Sequence, residues 1–158
     1  MFTEIKKISS LLLSVAFSSI GFIASITVTV LAAREVSSNP LFVGFPNAVG
    51  VGGAVLGTRM IYLISKNNSQ LNALAFTFLI GAFGGAIMFY SLIVDSFVLL
   101  LFGAFILGIG QSATLQTRYA ASFVASEKFK ATALSLAVWF SVFGSVFGPR
   151  MVLSLIHI

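Results

Sequence analysis

The chain contains no cysteine, so it can form neither a disulfide nor a thiolate-bound metal site. Charge is almost as scarce. Asp, Glu, Lys and Arg together make up 8% of the 158 residues, against about 25% in an ordinary soluble domain. So few charges cannot cover a water-facing surface, and a soluble class is excluded in favour of an integral-membrane one. Histidine occurs once, at His157, and none of the acids Glu4, Glu35, Asp95 and Glu127 falls inside a long apolar run. A general acid–base pair or a His/carboxylate metal cluster therefore has no visible members. No glycine-rich loop ending in lysine follows a strand, which argues against nucleotide binding. The nine cations are scattered, whereas a nucleic-acid groove needs them clustered. The expectation is a protein that is not an enzyme, holds no cofactor or metal and binds no nucleic acid.

What is present is apolar. Hydrophobic residues make up 58% of the chain and mean hydropathy is +1.08. Five long apolar runs stand out, at 11–33, 41–64, 71–94, 97–119 and 131–153. Each is about 23 residues, or about 34 Å as helix, enough to cross a bilayer core with some tilt. Short alternating strands of the barrel type are not seen. The reading is an all-α polytopic bundle in lipid. Lys6 and Lys7 precede the first run like the charged start of a signal peptide, but the run is too long for one and further runs follow. With the N-terminus inside, Lys6, Lys7, Arg59, Lys66, Arg118, Lys128 and Lys130 fall on the cytoplasmic side, and only Arg34 and Arg150 fall outside. That asymmetry predicts a cytoplasmic N-terminus.

Small residues recur four apart in every run: Gly21 with Ser25, Gly53 with Gly57, Gly81 with Gly85, Ala104 with Gly108, and Gly144 with Gly148. This spacing lines one helix face with small residues and predicts close backbone approach. The last six residues, Leu153–Ile158, spell LSLIHI. That hexapeptide resembles the translation of a widely used sequencing adapter. The expectation is a non-native tail at 153–158, no function for His157, and a chain cut near the end of its fifth span within a partial N-terminal domain, 1–152.

The run "GIGQSATLQTRYAASFVASEKFKATALSLAVWFSVFGSVFGP" (Gly108–Pro149) resembles bacterial members of the major facilitator superfamily. In these the fourth span ends in Arg-Tyr-Ala-Ala and a basic loop leads into a fifth span ending in Gly-Pro. The resemblance covers nearly the whole chain and implies five spans of a six-span N-terminal half. "GSVFGP", with Gly144, Gly148 and Pro149, is similar to the core of the fifth-span antiporter motif, although Arg150 replaces its following small residue. "GTRMIYLISK" (Gly57–Lys66) stands at the position of the family's cytoplasmic loop signature. Gly57 and Lys66 match its ends, and Arg59 supplies part of its positive charge. The signature's acid falls on Ile61, its next Arg on Tyr62, and its later Gly and Arg on Ile64 and Ser65. The family's usual fourth-span Arg falls near Ala104. These departures weaken any carry-over of proton coupling from drug antiporters.

The resemblance implies secondary transport of a small solute by alternating access in a bacterial cytoplasmic membrane. Efflux is the first expectation, and a proton is the candidate coupling ion. The implied partners are lipid, an unknown small-molecule substrate and the missing C-terminal half, without which the 158 residues are expected not to transport. Two other readings remain open: a different multi-span transporter fold, and a small membrane protein that assembles partners without transporting.

Polar side chains in lipid are costly unless they face protein or water, so they are the candidate sites. Gln111, Thr114 and Arg118 stand at i, i+3 and i+7 on one face of the fourth span. They are candidates for lining a substrate path. Gln111 could equally serve an interhelical hydrogen bond. Arg118 reads either as an anion or gate contact or as a helix-end cation snorkelling to headgroups. Asn47, directly after Pro46, is a further path candidate, or else satisfies backbone groups freed by the proline.

Overall fold

The computed structural model describes the backbone of residues 2–37, 39–124 and 130–156, and the side chains of 12–37, 39–120, 130–147 and 150. Five α-helices account for most of it: α1 Phe2–Val36, α2 Phe45–Asn67, α3 Gln70–Ile93, α4 Phe97–Val124 and α5 Lys130–Ile156. A single 3₁₀ turn, Pro40–Phe42, separates α1 from α2. Among the described residues there is no strand. All five helices are long and apolar enough to cross a membrane. At about 1.5 Å per residue, the 35 residues of α1 exceed a hydrocarbon core of about 30 Å. Its apolar crossing segment is Leu12–Val36.

Local chemistry sets the helix ends. Asn39 starts the 3₁₀ turn, its Oδ1 accepting the Leu41 N–H at 3.0 Å. Pro46 lies in the first turn of α2 and is buried. There its missing N–H is one that no helical carbonyl would have received. It therefore frees no backbone group that Asn47 would need to satisfy. Ser69 caps α3 by accepting the Asn72 N–H at 3.3 Å, the usual N-cap arrangement. The α3–α4 turn is shorter still. Asp95 adopts a left-handed conformation, φ 53°, and the Ser96 N–H donates to the Ser91 carbonyl at 3.0 Å. This is the Schellman closure of a helix C-terminus, in which Asp occupies the position glycine prefers. Ser96 then opens α4, its Oγ accepting the Leu99 N–H at 3.4 Å.

The large apolar side chains point outward. Val98, Phe17, Phe83, Tyr62 and Trp139 are all more than 60% exposed. Many buried positions are instead filled by small residues, among them Ala33, Ala73, Ala113, Ala137, Thr77, Ser91 and Ser112, beside a few large ones such as Val15, Ile61 and Leu100. This inversion suits lipid, where apolar side chains gain nothing by leaving the solvent and close packing holds helices together. Buried hydroxyls bond backward within their own helix: Thr77 to the Ala73 carbonyl at 2.8 Å, Ser91 to Met88 at 2.6 Å and Ser112 to Ile109 at 2.7 Å. Each hydroxyl is thereby satisfied without a partner helix.

The chain packs as two compact units, Met1–Ser25 with Thr114–Ile158, and Ile26–Ala113. In Ile26–Ala113, Ala32 and Ala33 of α1 join Met88, Leu100 and Ala104 in one cluster. Its main feature is a glycine seam along α4. On the side facing α2, a Cβ at Gly53 would strike the Phe105 carbonyl, and one at Gly108 would strike Gly50. On the side facing α3, a Cβ at Gly110 would lie 2.5 Å from the Gly81 Cα, and one at Gly103 would lie 2.8 Å from the Met88 nitrogen. No side chain larger than hydrogen fits at these crossings. In the other unit Leu12 and Val15 of α1 cluster with Ala137 of α5. There a Cβ at Gly144 would come within 2.6 Å of the Ser19 Cβ.

The small-residue pairs expected from four-residue spacing hold only in part. Gly53, Gly57, Gly81, Gly108 and Gly144 all sit at close approaches, but nothing lies within 4 Å of a Cβ at Gly21 or Gly85. In α3 the contact row is Gly81, Gly84 and Met88, because α4 crosses on a three-and-four spacing that Gly85 misses. The α5 backbone is helical through Gly148 and Pro149, whose side chains lie outside the described residues. The loop residues Glu127 and Lys128, and His157, also lie outside them.

Candidate functional site

Gln111, Thr114 and Arg118 follow one another along α4 over two turns. Gln111 belongs to the Ile26–Ala113 unit. It is half-buried and engaged in an interaction. Gly57 of α2 approaches Ile109 and Ser112, so Gln111 lies level with Gly57. Asn47, ten residues before Gly57 on α2, lies nearly three helical turns nearer the other end of α4. The structure therefore does not bring Asn47 and Gln111 to one level.

Thr114 and Arg118 belong to the other unit. Thr114 is 4% exposed and shares its surroundings with two other buried neighbours on α4, Thr117 and Ala120. Arg118 is half-buried, and its Nε is buried without a hydrogen-bond partner. A guanidinium nitrogen withdrawn from water without an acceptor is costly. Ser19 carries the second such atom, its Oγ lying at the Gly144 approach.

The residues at the loop-signature position divide in two. Gly57 is buried against α4, where its hydrogen is the only side chain that fits. Arg59 and Lys66 are exposed on α2. Gly50, Gly84, Gly103 and Gly110 were not singled out in the sequence. For Gly103 and Gly110 the signal was the stretch "FGAFILGIG" (Phe102–Gly110), in which one small-residue pair seven apart interleaves with a second pair four apart. Gly103 and Gly110 meet α3, while Ala104 and Gly108 meet α2. A further feature lay outside the sequence reading, a cavity of about 550 Å³ lined by Arg34, Ser37, Pro40 and Val43 beside the 3₁₀ turn. It contains none of the candidate path residues.

Among the described residues, five helices long and apolar enough to cross a membrane, with many large apolar side chains exposed, support an integral membrane protein. The chain is 31% identical over 140 residues to the uncharacterized MFS-type transporter YdeG of Bacillus subtilis (strain 168), a match covering 89% of the chain and 33% of YdeG. It is 33% identical over 147 residues to the uncharacterized MFS-type transporter YddS of the same organism, covering 93% of the chain and 34% of YddS. Over this matched length the chain is similar to MFS-type transporters. It spans about a third of the length of these curated relatives. No protein-family profile matches the chain, and no solved structure matches it.

Proposed function

We propose that the protein carries a small solute across a bacterial cytoplasmic membrane by alternating access, with its N-terminus on the cytoplasmic side and efflux as its direction. The observation that carries this reading is the similarity to MFS-type transporters over about nine-tenths of the chain. In such a mechanism substrate and coupling ion bias an equilibrium between two states of opposite access. A proton is the proposed coupling ion. In this reading residues 1–152 form part of an N-terminal domain, and the 158-residue chain does not transport by itself.

Within the proposed mechanism Gln111, Thr114 and Arg118 of α4 line the solute path, with Asn47 contributing nearer its opposite end. The buried, unpartnered Nε of Arg118 supports a role for this residue. An acceptor arriving with the solute, or with the opposite access state, would satisfy it and gain a charge-assisted hydrogen bond. Gly144, Gly148 and Pro149 are assigned to close packing on α5. Gly57 is assigned to packing on α2, and Arg59 and Lys66 to its positive end.

The test uses a full-length protein containing this sequence, reconstituted in liposomes under an imposed proton gradient and screened with lipophilic drugs and small organic anions. We expect solute-dependent proton flux in the wild type. Arg118→Gln should reduce it at least tenfold with insertion and thermal stability unchanged, consistent with loss of a hydrogen bond to a charged group (about 1.5–3 kcal/mol). Equal flux in wild type and variant would remove Arg118 from the path. Solute uptake by the 158-residue chain alone would refute its proposed inactivity.

A further inference from the structure

The α1–α2 connection combines polar and apolar chemistry that the transport reading does not use. Arg34, in the last turn of α1, and Ser37 line the cavity of about 550 Å³ together with Pro40 and Val43. Leu41 next to it is 86% exposed, and Phe42 and Phe45 are about half exposed. These side chains are held in place. The Phe42 ring packs edge-on to Phe45 at 6.3 Å and against Phe97 of α4 at 6.1 Å. Asn39 pins the turn through the Leu41 N–H, and its own N–H donates to the Ser37 Oγ at 3.4 Å.

A water-facing loop has no physical reason to hold a leucine and two phenylalanines outward in a fixed array. The flanking crossing segments, Leu12–Val36 and Pro40–Asn67, put this turn at the bilayer boundary. There the solvent is itself layered, with phosphate above and acyl chain below. Arg34 and Ser37 offer a cation and a hydroxyl to the first layer, and Leu41, Phe42 and Phe45 offer apolar surface to the second. Glu35 is exposed but is not among the described residues lining the cavity.

We propose that the α1–α2 turn is a phospholipid site, in which Arg34 and Ser37 hold the phosphate of an anionic lipid and Leu41, Phe42 and Phe45 lie against its acyl chains. The site anchors the turn at one membrane face and selects anionic over zwitterionic lipid, because one interfacial cation favours negative headgroups.

The absence of cysteine allows a clean reporter, Leu41→Cys labelled with bimane, in the 158-residue chain in phosphatidylcholine nanodiscs. Quenching is followed with shallow spin-labelled phosphatidylglycerol and spin-labelled phosphatidylcholine. We expect phosphatidylglycerol to quench at about fivefold lower mole fraction, the preference one interfacial cation supports. Arg34→Gln should abolish the preference and Arg34→Lys should keep most of it. Should Arg34→Gln not fold, about 1 M salt supplies the same test in the unaltered chain by shortening the Debye length to about 3 Å. Millimolar inorganic phosphate should leave quenching unchanged. Equal quenching by the two lipids, displacement by inorganic phosphate, or no quenching by either would overturn the proposal. These outcomes point respectively to a non-selective boundary, a free-anion site, and a turn covered by water or protein.

Discussion

The two packing units reach cohesion differently. In Ile26–Ala113, α4 meets α2 and α3 backbone to backbone, through Gly50 and Gly108 on one side and Gly81 and Gly110 on the other. Among the described residues of the unit formed by Met1–Ser25 and Thr114–Ile158, α1 meets α5 mainly through side chains, with Leu12, Val15 and Ala137 in contact and a glycine approach at Gly144. In lipid, association energy comes from contact rather than from leaving the solvent, so removing side chains from a helix face brings the backbones closer. A glycine seam is therefore strong and intolerant, whereas a leucine–alanine contact is looser and more forgiving.

The largest expected effect breaks that seam. Gly108→Leu would drive a side chain into Gly50 and should destabilise the chain by about 3 kcal/mol, the upper range of overpacking costs. Gly85→Leu, with open space before it, should change stability by less than about 0.5 kcal/mol. Reversible unfolding in mixed micelles measures both, and equal losses would show that the seam is not what distinguishes the unit. A smaller effect is expected at the Gly144 approach in the other unit. Gly144→Ala should cost about 1–2 kcal/mol, and adding Ser19→Gly should recover about half by removing the opposing Cβ. A double-mutant cycle reads that coupling, and strict additivity would remove the contact. Ser19→Ala alone should be near neutral, since the lost hydroxyl is buried and unpartnered.

The turn between α3 and α4 touches neither kind of packing, and substitutions there should have the least effect. Asp95 holds φ 53° in an exposed turn. Asp95→Gly should raise stability by about 0.5 kcal/mol by relieving the left-handed backbone, and Asp95→Val should lower it by about 1 kcal/mol. Both changes should be independent of substitutions along the α4 seam, and measured coupling would mean that the turn and the seam form together.

Much of the fold was legible because the bilayer is so restrictive a solvent. A run of about 20 apolar residues with few charges can only be a buried or crossing helix, so the five elements and their class follow from composition and length. The site was less legible. Thr114 shares a helix face with Gln111 by spacing, yet it is 4% exposed while Gln111 is half-buried. Spacing describes one helix, and burial depends on where its neighbours cross. The Arg34 cavity was missed because it is built from a helix end, a 3₁₀ turn and the residue after it, which share no periodicity.

The lipid environment, the five helices long enough to cross it and the likeness to MFS-type transporters were all readable from the amino-acid order, because each follows from how many apolar and charged residues stand in a row and which short motifs they spell. Which glycines matter depends on how the helices cross. Gly81 and Gly85 are alike in the sequence, one turn apart on the same helix. Gly81 has a neighbouring backbone where its Cβ would be and Gly85 has empty space, because the angle and level at which α4 crosses α3 are set by all the contacts along both helices at once.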